Sequence, residues 1–173
     1  GLPLFPMRVR WTTDVGGPPA TGPTGDGRRV YVPVATGGLV ALDADTGASV
    51  WRADGVDTHL QPAADGTGVY VVVGTTLVSL DATTGAERWR RPLASKVSAP
   101  LSARAGWIVV GLDTGDVLAV RAADGSVVWE RRYPTSLVAR AVIHGERLYL
   151  PGADARVRAA RIEDGTEVWE QAV

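Results

Sequence analysis

Ala41-Leu42-Asp43-Ala44-Asp45-Thr46-Gly47-Ala48-Ser49-Val50-Trp51 is the stretch on which the fold turns. An alternating run, Val40 to Asp43, enters a tight turn, and a second alternating run leaves it toward Trp51. The Thr46-Gly47 pair is a hairpin signal, because glycine accepts the positive φ that such turns require. The arrangement recurs along the chain. Trp11, Trp51, Trp89, Trp129 and Trp169 are spaced 40, 38, 40 and 40 residues apart. Gly47, Gly85, Gly125 and Gly165 each stand four residues before a tryptophan, preceded by Thr46, Thr84, Asp124 and Asp164. Self-similarity at a fixed period of roughly 20–50 residues marks a repeat architecture. Trp107 is out of phase and belongs to a different strand.

Working outward, each hairpin follows a β-branched, apolar run: 29–32, 69–73, 107–110 and 147–150. Short apolar runs between glycines read as strands covered on both faces. A small-residue run, such as Val97-Ser98-Ala99-Pro100-Leu101, precedes each and is expected to form a further strand. No stretch has a sustained helical period bounded by caps. Four short strands in about 40 residues make one blade of a β-propeller, an antiparallel sheet that buries its faces only against neighbouring blades. The expected fold is therefore all-β, with about four four-stranded antiparallel blades, either half of an eight-blade ring or a fragment of one. The repeats fall at approximately 14–54, 55–93, 94–133 and 134–173, and residues 8–13 are expected as a leftover outer strand.

Residues 41–51 match A-x-D-x-x-T-G-x-x-x-W, the tryptophan-docking motif of the quinoprotein-like propellers, at every fixed position. Residues 79–89 match except for Ser79. Residues 119–129 and 159–169 carry Arg121 and Arg161 for the Asp, and Asp124 and Asp164 for the Thr. The chain thus resembles the quinoprotein-like (pyrroloquinoline quinone-type repeat) propeller family over nearly its whole length. The resemblance implies that Trp51, Trp89, Trp129 and Trp169 pack between adjacent blades, and that Gly47, Gly85, Gly125 and Gly165 admit the indoles. One branch of that family holds quinone-binding dehydrogenases with long insertions, a calcium ion held by carboxylate and amide side chains, and usually a vicinal disulfide. This chain has no long insertions, no Cys and no Asn. It is similar to the non-catalytic branch, which includes the propeller lipoprotein of bacterial outer-membrane assembly. That similarity implies a periplasmic or extracellular location.

Composition narrows the chemistry. The chain has 173 residues, 45% of them hydrophobic, and a net charge of -1. That balance gives no bulk attraction to nucleic acid or anionic membrane. No apolar run approaches the roughly 20 residues of a membrane helix. The opening Gly1-Leu2-Pro3-Leu4-Phe5-Pro6 lacks the basic start and long apolar stretch of a secretory leader. Without Cys, disulfides, thiolate metal sites and cysteine nucleophiles are excluded. Seventeen of 18 basic residues are Arg, which reads as compositional bias more than selection for Arg contacts.

Asp43-Ala44-Asp45-Thr46-Gly47 resembles the opening of a calcium loop, but the distal bidentate Glu is missing and a strand follows, so a structural turn is expected. His59 and His144 have no ligand-spaced neighbours, and no metal site is expected. No G-x-S-x-G elbow or phosphate-cradling G-K-[ST] loop is present, and the carboxylates cluster in hairpins, where turn chemistry explains them. Arg156, Arg158 and Arg161 are the most distinctive charges. Arg156 and Arg158 share one strand face, so they read either as a basic stripe for an acidic partner or as charge protecting a terminal strand from stray pairing.

The count of strands leaves a closure problem, since open blade faces resemble a cut core. A missing continuation, two copies forming one ring, or a closed four-blade ring each resolve it, and self-association or a continuation is expected over a closed monomer. The expected function is a non-enzymatic scaffold or protein-protein interaction module, without cofactor, binding a protein partner or itself as a ring-closing homo-oligomer. The alternatives are a fragment of a quinone-dependent dehydrogenase-type propeller and a purely architectural, natural or engineered, repeat module.

Overall fold

The computed structural model describes residues 8–173; the opening stretch read for a leader lies outside them. None of the described residues forms a helix. Sixteen strands make four antiparallel sheets, each a meander whose spatial order follows the chain. Blade 1 holds β1 (Thr24–Gly25), β2 (Arg29–Val34), β3 (Gly38–Asp43) and β4 (Ser49–Asp54). Blade 2 holds β5 (Ala63–Ala64), β6 (Gly68–Val73), β7 (Thr76–Asp81) and β8 (Glu87–Pro92). Blade 3 holds β9 (Ser102–Arg104), β10 (Trp107–Gly111), β11 (Asp116–Arg121) and β12 (Val127–Arg132). Blade 4 holds β13 (Val142–His144), β14 (Arg147–Pro151), β15 (Arg156–Arg161) and β16 (Glu167–Ala172).

The first strand of blade 3 is displaced from its expected place. In blade 3 the ladder begins at Ser102, not at Val97. Val97 makes only an isolated bridge to Leu112. Pro100 in that run has no N–H to give a ladder, so continuous pairing starts after it. Residues 8–13 also join no sheet. An outer strand needs the third strand of its own blade beside it, and none of the described residues supplies one.

The core lies in the seams between blades. Each seam collects one face of one blade and the opposing face of the next. Leu39, Ala41 and Trp51 of blade 1 pack with Val69, Val78 and Leu80 of blade 2. Trp107 begins β10 and packs at its edge against the seam between blades 3 and 4. The ladder slips at the same place in every blade, at Ala41/Leu42, Ser79/Leu80, Ala119/Val120 and Ala159/Ala160. The small residue before each slip is paired with the motif tryptophan. A bulge bends its strand and re-aims side chains, and here it coincides with the point where each indole leaves for the next blade.

Candidate functional site

The motif glycines and tryptophans form a chain of seats in which Trp51, Trp89 and Trp129 each contact the following blade. The Trp51 indole N–H donates to the Ala82 carbonyl at 3.0 Å, Trp89 to Ala122 at 3.0 Å and Trp129 to Ile162 at 2.6 Å. A Cβ on Gly85 would lie 2.6 Å from the Trp51 ring, on Gly125 2.7 Å from Trp89, and on Gly165 2.7 Å from Trp129. These glycines also hold φ between 68 and 74°, so both the close ring and the left-handed backbone require the absence of a side chain.

Trp11 uses the same seat. Its indole donates to the Ala44 carbonyl at 3.0 Å, its ring lies over Gly47, and Thr13 donates its hydroxyl to the Gly47 carbonyl at 2.6 Å. The 40-residue spacing to Trp51 was the available signal for this role. Trp169 is the exception at the other end: it is 41% exposed, against 9% for Trp51 and Trp129. Among the described residues its indole has no acceptor.

The blade 4 face around Trp169 is correspondingly open. Tyr149 is half-buried where Tyr31, Tyr70 and Val109 are buried, and Val157 is half-buried where Leu39, Leu77 and Val117 are buried. Val142 is 56% exposed. Trp169 keeps only its partner within the blade, Tyr149, with ring centroids 6.0 Å apart.

The polar part of the turn survives the loss of Asp in blades 3 and 4 by moving. Asp43 Oδ1 accepts from the Asp45 and Thr46 amides and the Thr46 hydroxyl, and Asp81 does the same for Thr83 and Thr84. These bonds hold both carboxylates below the usual range, the Thr46 hydroxyl acting most strongly on Asp43 and the Thr84 amide on Asp81. In the later blades Asp124 accepts from the Ser126 amide and hydroxyl, and Asp164 from the Thr166 amide. All four turns retain the bond from the glycine N–H to the carbonyl four residues back.

Of the two readings of Arg156, Arg158 and Arg161, the exposed basic stripe is not formed, because Arg158 is buried. Arg158 is 2% exposed and lies in the seam between blades 3 and 4. It stands where the other blades carry Val40, Val78 and Leu118. Its guanidinium meets Asp154 at 2.5 Å, Glu170 at 2.6 Å and Glu167 at 3.8 Å. Burying a charge is tolerated only with such partners, and their presence was not visible in the spacing. Arg156 is exposed and paired to Glu170, and Arg161 lies 3.9 Å from Glu163. The edge-protection reading fails as well, because β15 is paired on both sides.

A position two residues after each docked tryptophan closes the seam, with one exception. Thr13 donates to Gly47, Arg91 donates through Nε to the Gly125 carbonyl, and Arg131 donates through Nε to Asp164 at 2.6 Å. Tyr133, four after Trp129, adds a hydroxyl bond to Gly165 at 2.7 Å, and burial pushes its phenol up to about 12. The seam between blades 1 and 2 has Ala53 and Gly55 at these two positions. A cleft of about 360 Å³ remains there, floored by Val78 and Leu80 and edged by Glu87, Arg90 and Asp54. Gly85, alone among the four motif glycines, is incompletely buried.

The innermost strands line the axis, where Arg140 reaches from blade 4 to the Gln61 side chain at 3.0 Å and the Pro62 carbonyl at 3.2 Å. Gln61 in turn donates to the Pro23 carbonyl of blade 1 at 2.7 Å. His59 and His144 are exposed and lie in different parts of the chain. Among the described residues no three His, Cys, Asp or Glu side chains converge as a metal site would require.

The family model described as "Outer membrane protein assembly factor BamB" matches residues 8–74 and 36–173. No curated protein matches the chain. BamB from Moraxella catarrhalis is 20% identical, with a TM-score of 0.75 over 88% of this chain and 48% of that one. Quinohemoprotein alcohol dehydrogenase from Comamonas testosteroni is 15% identical, with a TM-score of 0.68 over 87% of this chain and 34% of that one. The computationally designed Ika8 protein is 15% identical, with a TM-score of 0.71 over 86% and 48%. These similarities establish the fold, and the chain spans about half the length of the M. catarrhalis and Ika8 proteins and about a third of the dehydrogenase.

Proposed function

The chain belongs to the outer membrane protein assembly factor BamB family, and on that premise we propose that it is a non-enzymatic propeller scaffold that binds other proteins in the periplasm or at the cell exterior. The observation that carries this reading is the family match over residues 8–74 and 36–173, and it is supported by the apolar blade 4 face, where among the described residues Val142 and Trp169 are exposed beside the half-buried Tyr149 and Val157. A face of this kind is shaped to stack on another blade, and an exposed apolar patch beside rigid sheets is the usual mark of an interaction surface. Taken alone, the chain covers the face with a second copy, whose blade 1 receives Trp169. Because Trp11 already sits over Gly47, that second copy gives up its Trp11 seat as the ring closes. The scaffold then presents its loops and seams to a protein partner, as loops held by a rigid framework do.

A photo-crosslinking residue at Val142, in the open face, and another at Val50, exposed on the outer strand of blade 1, tests the reading in a bacterial envelope. Protein adducts are expected at Val142 and not at Val50. Equal adducts at both, or dye-linked alcohol oxidation once pyrroloquinoline quinone and calcium are added, would overturn it.

A further inference from the structure

We propose that the cleft between blades 1 and 2 is a binding site for an arginine of a protein partner, carried on an extended segment with a tyrosine or leucine two residues later. This rests on the scaffold reading and names the chemistry of one partner contact. The sister seams supply the template. In each, residues two and four after the docked tryptophan point into the next blade, since alternate strand residues share a face. Those pairs are Arg91 and Leu93 in one seam, and Arg131 and Tyr133 in the next. Each arginine donates to a carbonyl of the facing turn. In the cleft the same two positions are Ala53 and Gly55, which leaves about 360 Å³ unfilled.

The walls retain what the absent side chains would meet. Among the described residues no side chain donates to the Gly85 carbonyl, whereas Gly47, Gly125 and Gly165 each accept one. Val56, Val78 and Leu80 offer an apolar wall for the stem of an arginine and for the second side chain. Glu87 faces the same cleft, held below the usual carboxylate range by its bond to Arg90 at 2.5 Å. Its counterpart in the seam between blades 3 and 4 is Glu167, which lies beside the buried Arg158 guanidinium. The chain therefore shows twice, with its own arginines, how a guanidinium sits in this kind of seam. Arg is suited to it because its planar fork donates to a fixed carbonyl while its stem packs on apolar surface.

The probe is the peptide acetyl-Ser-Arg-Ser-Tyr-Ser-amide, titrated into the whole chain and followed by amide chemical shifts. Shifts confined to Gly85, Ala86 and Glu87 are expected, with at least tenfold weaker binding when the peptide arginine is replaced by alanine. Ala53→Arg fills the cleft from within; it should raise the thermal midpoint and abolish peptide binding. Ala53→Ser leaves the cleft open and should bind as the parent does. No binding to the parent, or unchanged binding by Ala53→Arg, would overturn the cleft proposal. Crosslinks still formed at Val142 would then leave the scaffold reading standing, so the two failures are distinguishable.

Discussion

The two ends of this propeller segment carry the same tryptophan and meet opposite fates. At one end Trp11 is docked over Gly47, and Val32, Val34, Val40 and Leu42 of blade 1 are buried behind it. At the other end Trp169 meets no further blade among the described residues, and the apolar positions that every inner blade buries lie half open. Nothing within a repeat distinguishes the two. What seals a blade is the next element in space, so a repeat protein is only as closed as its last interface. Residues 8–15 act as a cap although they form no strand, because an indole, a hydroxyl and a close-packed turn suffice to cover the seat.

The two ends should differ most at their tryptophans. Trp129→Ala should lose about 3–5 kcal/mol of stability, the range for deleting a buried large aromatic. In dilute solution Trp169→Ala should cost less than about 1 kcal/mol, as an exposed position does. Urea denaturation of both variants measures the gap, and equal losses would mean that the end face is covered after all. Gly125→Ala should fall between them at roughly 2–4 kcal/mol, combining a left-handed backbone with a methyl driven into the Trp89 ring.

Acid gives the smallest expected effect and should not separate the ends. Asp43 at the capped end and Asp164 at the open end are both held below the ordinary 3.8, Asp43 chiefly by the Thr46 hydroxyl and Asp164 chiefly by the Thr166 amide. A lowered folded pKa means that the stabilisation is present above the unfolded value and disappears as pH falls through the folded one. Asp116, brought to about 2 by Arg132, extends that window furthest. Protection against hydrogen exchange, relative to the unfolded rate at the same pH, should therefore fall together at the two turns below about pH 4. Loss at the open turn in clearly milder acid would show that its fold depends on a covering element that the other turn already has.

The fold was readable because a fixed period of tryptophan, glycine and alternating strands leaves few architectures, but the motif alone did not reveal that Trp169 stays exposed while the other three indoles are seated. Trp11 stood in phase with the others, yet its docking depends on a three-dimensional neighbour rather than on its own flanks. The first strand of blade 3 lies later in the chain than its small residues suggest, since a three-residue ladder leaves almost no pattern and Pro100 interrupts residues 97–101. Arg158 looked like surface charge because its compensation comes from Asp154, Glu167 and Glu170, brought together only by the turn and the outer strand. The cleft was equally hidden: Ala53 and Gly55 are unremarkable until the corresponding residues of the other seams are seen to fill the space.

The most direct test of the open end is the absolute mass in solution by light scattering, over a dilution series, for the parent chain, Trp11→Ala and Trp169→Glu. The parent should approach twice the 18.2 kDa chain mass at high concentration. Trp11→Ala, with its Gly47 seat vacated, should reach that mass at lower concentration, and Trp169→Glu should stay at one chain. A parent that remains a single chain at every concentration, unchanged by either substitution, would contradict closure by a second copy.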